Sequence, residues 1–566
     1  MKKLNILYVL LLFHTVLYGQ LPKGRTTDTK IADVLALQPA AEKGKFLDAM
    51  QELKGFSASE VATLLSQLRP QGGGRNPEIE YLTNSYSLYV QKNGQEQDRL
   101  TFVSGLIESL NKIKDKNLQG YVLQLIQNCG KDEAVEAVSK YLNDSFLAEK
   151  AGRALTSIGS AKAESALVGA SKNPSNEKSA IAIVTALGAL KSQKGEQPII
   201  NLLSKYNSAD FQKTALNALS QIGQPASAQV FESKIKAANY AYSSIDEMGL
   251  ALKYAQALIN NKQEDVAINL ATVIYNQPNV APNYKSAALK MLVKKNPENY
   301  KNALFKTVQE DNSALYRNTA LSLINENWGN QGNTKLISLV SKAKPEVQEA
   351  VLRNIAQSGN SSNYKKIEKL AKSKLAGQSK IAALTTLNTL NKDQSVKFLI
   401  KQLNSADQET NQAIKSILLT SKSTNLINEV NAALPKASEN VQVELLDVIE
   451  QRNNGTSAKF VLPLLDSPNQ KVKDAAYKAF ASVATPDNIK VIVERLDKAN
   501  KPEIKYLQDA LVQAINTSAQ PESEVKALSK EIASKNESIA INYLPVFAKV
   551  GGTESLKSVQ PYLQST

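Results

Sequence analysis

The stretch NSADFQKTALNALSQIG, residues 207–223, carries the signals of one helix from entrance to exit. Ser208 and Asp210 suit an N-cap and first turn, where short polar side chains satisfy the N–H groups that a helix start leaves open. Ala215, Leu216, Leu219 and Ile222 recur at three- and four-residue steps, so one face is apolar. Gly223 stands where a left-handed C-cap is wanted, and Gln224-Pro225 follows. The same pattern occurs twice upstream, as KAGRALTSIG at 150–159 and AIAIVTALGAL at 180–190. Aligned, the three stretches place Leu155, Leu187 and Leu219 in one column at intervals of 32 residues. A constant interval of that length predicts helical pairs stacked into a solenoid.

The column continues further along the chain. Leu289 and Leu321 are 32 residues apart, as are Ile355 and Leu387, and Ile417, Val448, Phe480 and Leu511 follow at steps of 30, 31, 32 and 31. Small changes of step are loop-length changes between equal units. The expected organisation is a signal peptide at 1–20, an irregular helical region at 21–130, and regular pairs at 131–239. A longer-helix section at 240–300 and further pairs at 301–566 follow, the chain ending within a repeat. In the irregular region, helices are expected at 31–37, 44–53, 58–68, 78–90, 100–113 and 119–126, with a flexible loop at Pro70–Arg75. Its three glycines lack the Gly-Lys-Ser/Thr ending of a phosphate cradle. At 240–300, one long helix is expected from Tyr240 to Asn260, followed by another from Asp265 to Tyr275. Capping signals are read at Ser467-Pro468-Asn469-Gln470, Ser405-Ala406-Asp407-Gln408 and Thr485-Pro486-Asp487.

Lys2 and Lys3, the apolar run Ile6 to Tyr18 and the small residue Gly19 make an export signal. The apolar run is shorter than the ~20 residues needed to span a bilayer, and no later segment is apolar enough to do so. The expected location is the periplasm, the outer membrane surface or outside the cell. The single cysteine, Cys129, excludes an internal disulfide and is expected to be a small buried thiol. Removing Lys2 and Lys3 from the formal +15 leaves a charge of +13. The lysines are scattered singly and in pairs, such as Lys365-Lys366, with no aromatic-interleaved basic run, so no nucleic-acid partner is expected.

The most regular unit is FVLPLLDSPNQKVKDAAYKAFASVA at 460–484. Its Pro463, Leu464, Leu465, Asp466, Val472, Lys473, Ala476 and Phe480 make it resemble the HEAT repeat, and the likeness extends over roughly 131–563. The resemblance implies an all-α, right-handed α-solenoid of stacked antiparallel helix pairs, armadillo-like in superfamily. Ala251, Tyr254, Ala255 and Leu258, followed by Ala267, Ala271 and Tyr275, are similar to a tetratricopeptide hairpin, a local variant of the same stack. The whole arrangement also resembles exported HEAT arrays of Bacteroidetes-type proteins. In those, the array precedes a β-sandwich related to keto-disaccharide hydrolases, and this sequence shows no such strand-rich segment.

His14 is the one histidine and lies in the signal, so the remaining chain has no imidazole for Ser-His-Asp or Cys-His catalysis or for a zinc site. Asp246-Glu247 and Glu310-Asp311 are adjacent carboxylates, which on a helix point to different faces and do not converge on a substrate. No compact calcium loop is present. The expectation is a protein that is not an enzyme, holds no metal or cofactor, and presents a concave groove of second helices to a protein or glycan partner. Tyr240, Tyr242, Tyr254 and Trp328, the last in an expected Asn-rich loop from Asn325 to Asn333, are the candidate binding residues, since exposed aromatics stack on sugars or partner side chains. The same tyrosines also suit a wider helix seam. The alternative expectation is the support region of a sugar-processing enzyme whose catalytic domain is missing from this chain.

Overall fold

The computed structural model describes residues 24–70, 75–373, 375–404 and 407–564. The expected signal peptide, the loop glycines at 72–74 and Ser405-Ala406 lie outside the described residues. Among the described residues every regular element is a helix. None is long and apolar enough to cross a membrane.

The decisive stretch folds as its caps dictate. The Ser208 hydroxyl accepts the Phe211 N–H at 3.1 Å and starts the helix Ala209–Ile222. Gly223 ends it at φ 63°, where its N–H meets Leu219 O. A Cβ on Gly223 would stand 2.7 Å from the Ala257 Cβ, so the position needs glycine for conformation and for space. Ala215, Leu216, Leu219 and Ile222 are all buried.

Every member of the predicted column is buried, from Leu155, Leu187 and Leu219 through Leu289, Leu321, Ile355 and Leu387 to Ile417, Val448, Phe480 and Leu511. Each lies on the second helix of a pair. Consecutive second helices lie against one another, as Ala148–Ile158, Glu177–Ala189 and Ala209–Ile222 do. Burying one such leucine stabilises the fold by about 1.5–3 kcal/mol, so within each body the repeated column is a seam of stabilisation. The first helices are shorter and often open with a 3-10 turn, as at Gln193–Gly195 and Pro486–Asn488. The described residues fall into two compact bodies that divide between Asn296 and Pro297, each built from this pairing.

The irregular N-terminal region is helical where expected, in Thr27–Ala36, Lys43–Lys54, Ala58–Ser66, Asn76–Tyr89, Glu96–Lys112 and Lys116–Cys129. Cys129 is buried, and its Sγ–H points to Leu125 O at 3.3 Å. Burial pushes its thiol up to about 12.

Three local readings are corrected. The helix expected from Tyr240 begins only at Glu247. Asn239, Tyr240 and Asp246 take left-handed φ values of 52°, 55° and 62°, and Ser243 Oγ accepts the Asp246 N–H at 3.2 Å. Asp246 is then the N-cap, accepting the Gly249 N–H at 3.2 Å and the Tyr284 hydroxyl at 2.9 Å. The Asn-rich segment around Trp328 is not a loop. It is helical on both sides of Gly329, whose φ 45° and ψ −122° split Ala314–Val340 into the second helix of one pair and the first of the next. At 467–470 the N-cap is Asn469, which accepts from Lys471 and Val472 N–H, so Pro468 precedes the helix Gln470–Val483. Thr485 keeps its expected place before Pro486, boxed with Asn488.

Candidate functional site

The second helices leave clefts between neighbouring pairs. In the first body, a cleft of about 580 Å³ runs over Ala148–Ile158 and Glu177–Ala189. Its floor is made by Gly152, Ile181, Ala182 and Ala186, and Phe146, 52% exposed, stands at one side. The floor is shallow because small side chains let the two helices approach. A Cβ on Gly152 would lie 3.2 Å from Ala182 O. Thr156, Ser157, Lys178 and Thr185 offer polar groups at the edge, with the exposed pair Arg153 Nη2–Glu149 Oε1 at 2.7 Å.

In the second body, a cleft of about 660 Å³ lies between the segment 314–328 and the helix Pro345–Ser358. Its lining is polar: Arg317, Asn318, Asn325, Glu326, Glu349, Arg353 and Asn354 are among its residues. Further along the same kind of face, charges bridge successive second helices. Lys415 Nζ reaches Asp447 Oδ2 at 2.8 Å and Glu444 Oε2 at 3.1 Å, and Lys473 Nζ reaches Glu503 Oε1 at 2.6 Å. The Asp447 hydrogen bond raises the Lys415 ammonium above its ordinary value. On that face Lys415 and Lys473 are thus partnered within the chain.

The predicted aromatics part company. Tyr254 is fully buried, stacked on Phe231 at 4.3 Å and 16°, with its hydroxyl donating to Gln224 O at 2.7 Å. It fills the seam and presents no surface to a ligand. Tyr242 is 76% exposed and Tyr240 half-buried, both on the loop before Glu247, and neither lines a cleft. Trp328, in the other body, is half-buried. Its Nε1–H donates to Glu298 Oε1 at 2.7 Å, and the Lys301 ammonium lies 4.9 Å from its ring centroid. Asp246 and Glu310-Asp311 take capping and solvent-facing positions, and among the described residues no group of three His, Cys, Asp or Glu side chains could hold a metal.

Sequence reasoning missed the cleft residues Phe146, Gly152, Arg317 and Asn354. Arg317 did carry a signal. It precedes Leu321 and Ile324 by four and seven residues, so a charge occupies the apolar register.

No family model matches the chain, and no curated protein matches it. Similar solved structures include Kap95p with RanGDP, 11% identical over 95% of this chain and 90% of that one, with a TM-score of 0.38. Kap121p bound to RanGTP is 12% identical over 96% of this chain and 61% of that one, with a TM-score of 0.36. Importin beta in an ammonium sulfate condition is 10% identical over 94% and 97%, with a TM-score of 0.32. By the pairing and period of its own helices, the chain is an all-α solenoid of stacked helix pairs.

Proposed function

We propose that the chain is an exported, non-catalytic scaffold that holds a protein partner along the face made by its second helices. The observation that carries this reading is the position of the clefts. In each body a cleft lies over adjacent second helices and carries both apolar and polar lining. Apolar floor with a few polar groups at the edge is what a docked chain segment requires. Export rests on Lys2, Lys3, the apolar run Ile6 to Tyr18 and Gly19. A glycan partner draws less support, because Phe146 is the one aromatic among the residues lining the two clefts and Tyr254 is buried in the seam.

The test is cell fractionation followed by retention. The chain expressed from Met1 is expected outside the cytoplasm, shortened by about twenty residues, as a cleaved signal requires. Immobilised in that form at about 0.15 M salt, it is expected to retain a discrete envelope protein and no polysaccharide from a panel. An unprocessed cytoplasmic chain overturns export, and retention of polysaccharide alone overturns the protein-partner reading.

A further inference from the structure

Among the described residues two arginines are almost wholly buried, and their surroundings differ. Arg99 is 2% exposed and sits between two carboxylates, with Nη2 at 2.7 Å from Glu96 Oε1 and Nη1 at 2.5 Å from Glu133 Oε1. Arg317 is 6% exposed. Its one hydrogen bond runs from Nη1 to Asp311 O at 3.0 Å, and its Nε has no partner. Among the described residues no carboxylate pairs with it within 4.0 Å. The nearby Asp311 carboxylate is turned to the Ser313 N–H at 2.8 Å. A buried guanidinium without a counter-charge is costly. Its position one turn into a helix adds the positive end of the helix dipole to its own charge.

Arg317 lines the 660 Å³ cleft of the second body, and so does Asn354, which is 8% exposed and whose Nδ2 also lacks an acceptor. Two nine-tenths-buried donors on facing helices therefore share one cleft. We infer that this cleft is the docking site for a segment of a protein partner, one carboxylate of which supplies the missing counter-charge to Arg317. The inference rests on the scaffold reading above and gives that reading a ligand chemistry.

The surroundings select among anions. Glu326, held by Ser322 Oγ–H at 2.7 Å, and Glu349, beside Arg353 Nη2 at 3.5 Å, lie along the cleft with Glu346. Those three rim carboxylates outnumber Arg317 and Arg353, so they repel a doubly charged phosphate or a run of acidic residues and leave room for a single carboxylate placed at Arg317. No aromatic residue lines the cleft, so a sugar ring finds no stacking surface there. Asn318, Asn325 and Gln357 offer paired donors and acceptors suited to a peptide main chain.

The test uses random dodecapeptides displayed on phage, selected on the full chain at about 0.15 M salt. Enriched peptides are expected to carry Asp or Glu at a recurring position. A synthetic version is expected to lose at least tenfold in affinity when that residue becomes Gln or Asn. The same loss is expected for Arg317→Gln, checked by circular dichroism for retained helix. Asn354→Asp, which places a carboxylate inside the cleft, gives an independent route to the same loss should Arg317→Gln unfold. Enrichment of non-acidic peptides, or acidic peptides that bind Arg317→Gln and Asn354→Asp unchanged, overturns the assignment and leaves the scaffold reading standing. Absence of any enriched peptide overturns both.

Discussion

Two glycines show how a single residue sets the spacing of this fold. Gly188 lies within Glu177–Ala189, and a Cβ there would stand 2.7 Å from both Cα and Cβ of Ala218 on the next second helix. Alanine normally gains about 0.5–1 kcal/mol over glycine in a helix interior. Here the obstructing atoms include backbone, so overpacking, at about 1–3 kcal/mol, wins. Gly169, in Ala161–Ser171, has nothing within 4 Å of its would-be Cβ. We expect Gly188→Ala to lower the urea midpoint and Gly169→Ala to raise it. A Gly188→Ala variant as stable as Gly169→Ala contradicts the close seam. Arg317 makes the complementary point. An arginine four residues before Leu321 and seven before Ile324 falls on the buried face, as Arg99 does before Val103 and Leu106. Arg99 has Glu96 three residues earlier, but Arg317 has no carboxylate at three or four residues on either side. That contrast was legible in the sequence, whereas the unmet buried donors of the cleft needed coordinates.

At the scale of elements, periodicity located the second helices and the local chemistry of their ends was harder to read. The column from Leu155 to Leu511 is buried throughout because its interval is fixed by packing against the neighbouring pair. The turn before Glu247 was misplaced because Tyr240 and Ala241 look as helical as their neighbours. Ser243 and Asp246 override propensity there by binding backbone N–H groups. The segment around Gly329 was misread in the other direction, since its asparagines suit a loop, yet only Gly329 itself leaves helical geometry. The junction of Glu96–Lys112 with the turn after Cys129 is tied by Arg99, whose Nη1 also donates to Cys129 O at 2.8 Å. The hydrogen bonds from Arg99, then Lys131, hold the Glu96 carboxyl down at about 2. Burial pushes Glu133 up, yet the Arg99 bond and backbone N–H groups bring it below its ordinary value. Both are depressed folded-state values. Their contribution is complete above the unfolded carboxylate value of about 4.3 and is lost as pH falls from there through about 2. We expect the urea midpoint to fall between pH 5 and pH 2.5, at about those values, and Arg99→Met to flatten that part of the profile. Arg99→Met is also expected to lower the urea midpoint at neutral pH, since it leaves the half-buried Glu133 carboxylate and the Cys129 carbonyl without this donor, while the exposed Glu96 keeps Lys131. An unchanged acid slope in Arg99→Met contradicts this account of the junction.

For the whole molecule, a stack of like pairs offers the same face many times, and function depends on which face a partner uses. The sequence made the stack legible through its interval and left the site dark, because clefts arise from residues about 30 apart that no local pattern links. Tyr254 illustrates the loss. An aromatic that looks available for binding in the sequence is fully buried against Phe231 in the fold. The most direct test is site-specific photo-crosslinking in the native cell envelope. A photoreactive residue is placed at Thr185 or Ser322 on second helices, or at Ser165 or Ser338 on first helices, all four exposed. The account predicts a discrete protein adduct from Thr185 or Ser322 and none from Ser165 or Ser338. Adducts arising only from Ser165 or Ser338, or equally from all four, contradict a scaffold that works through its second-helix face.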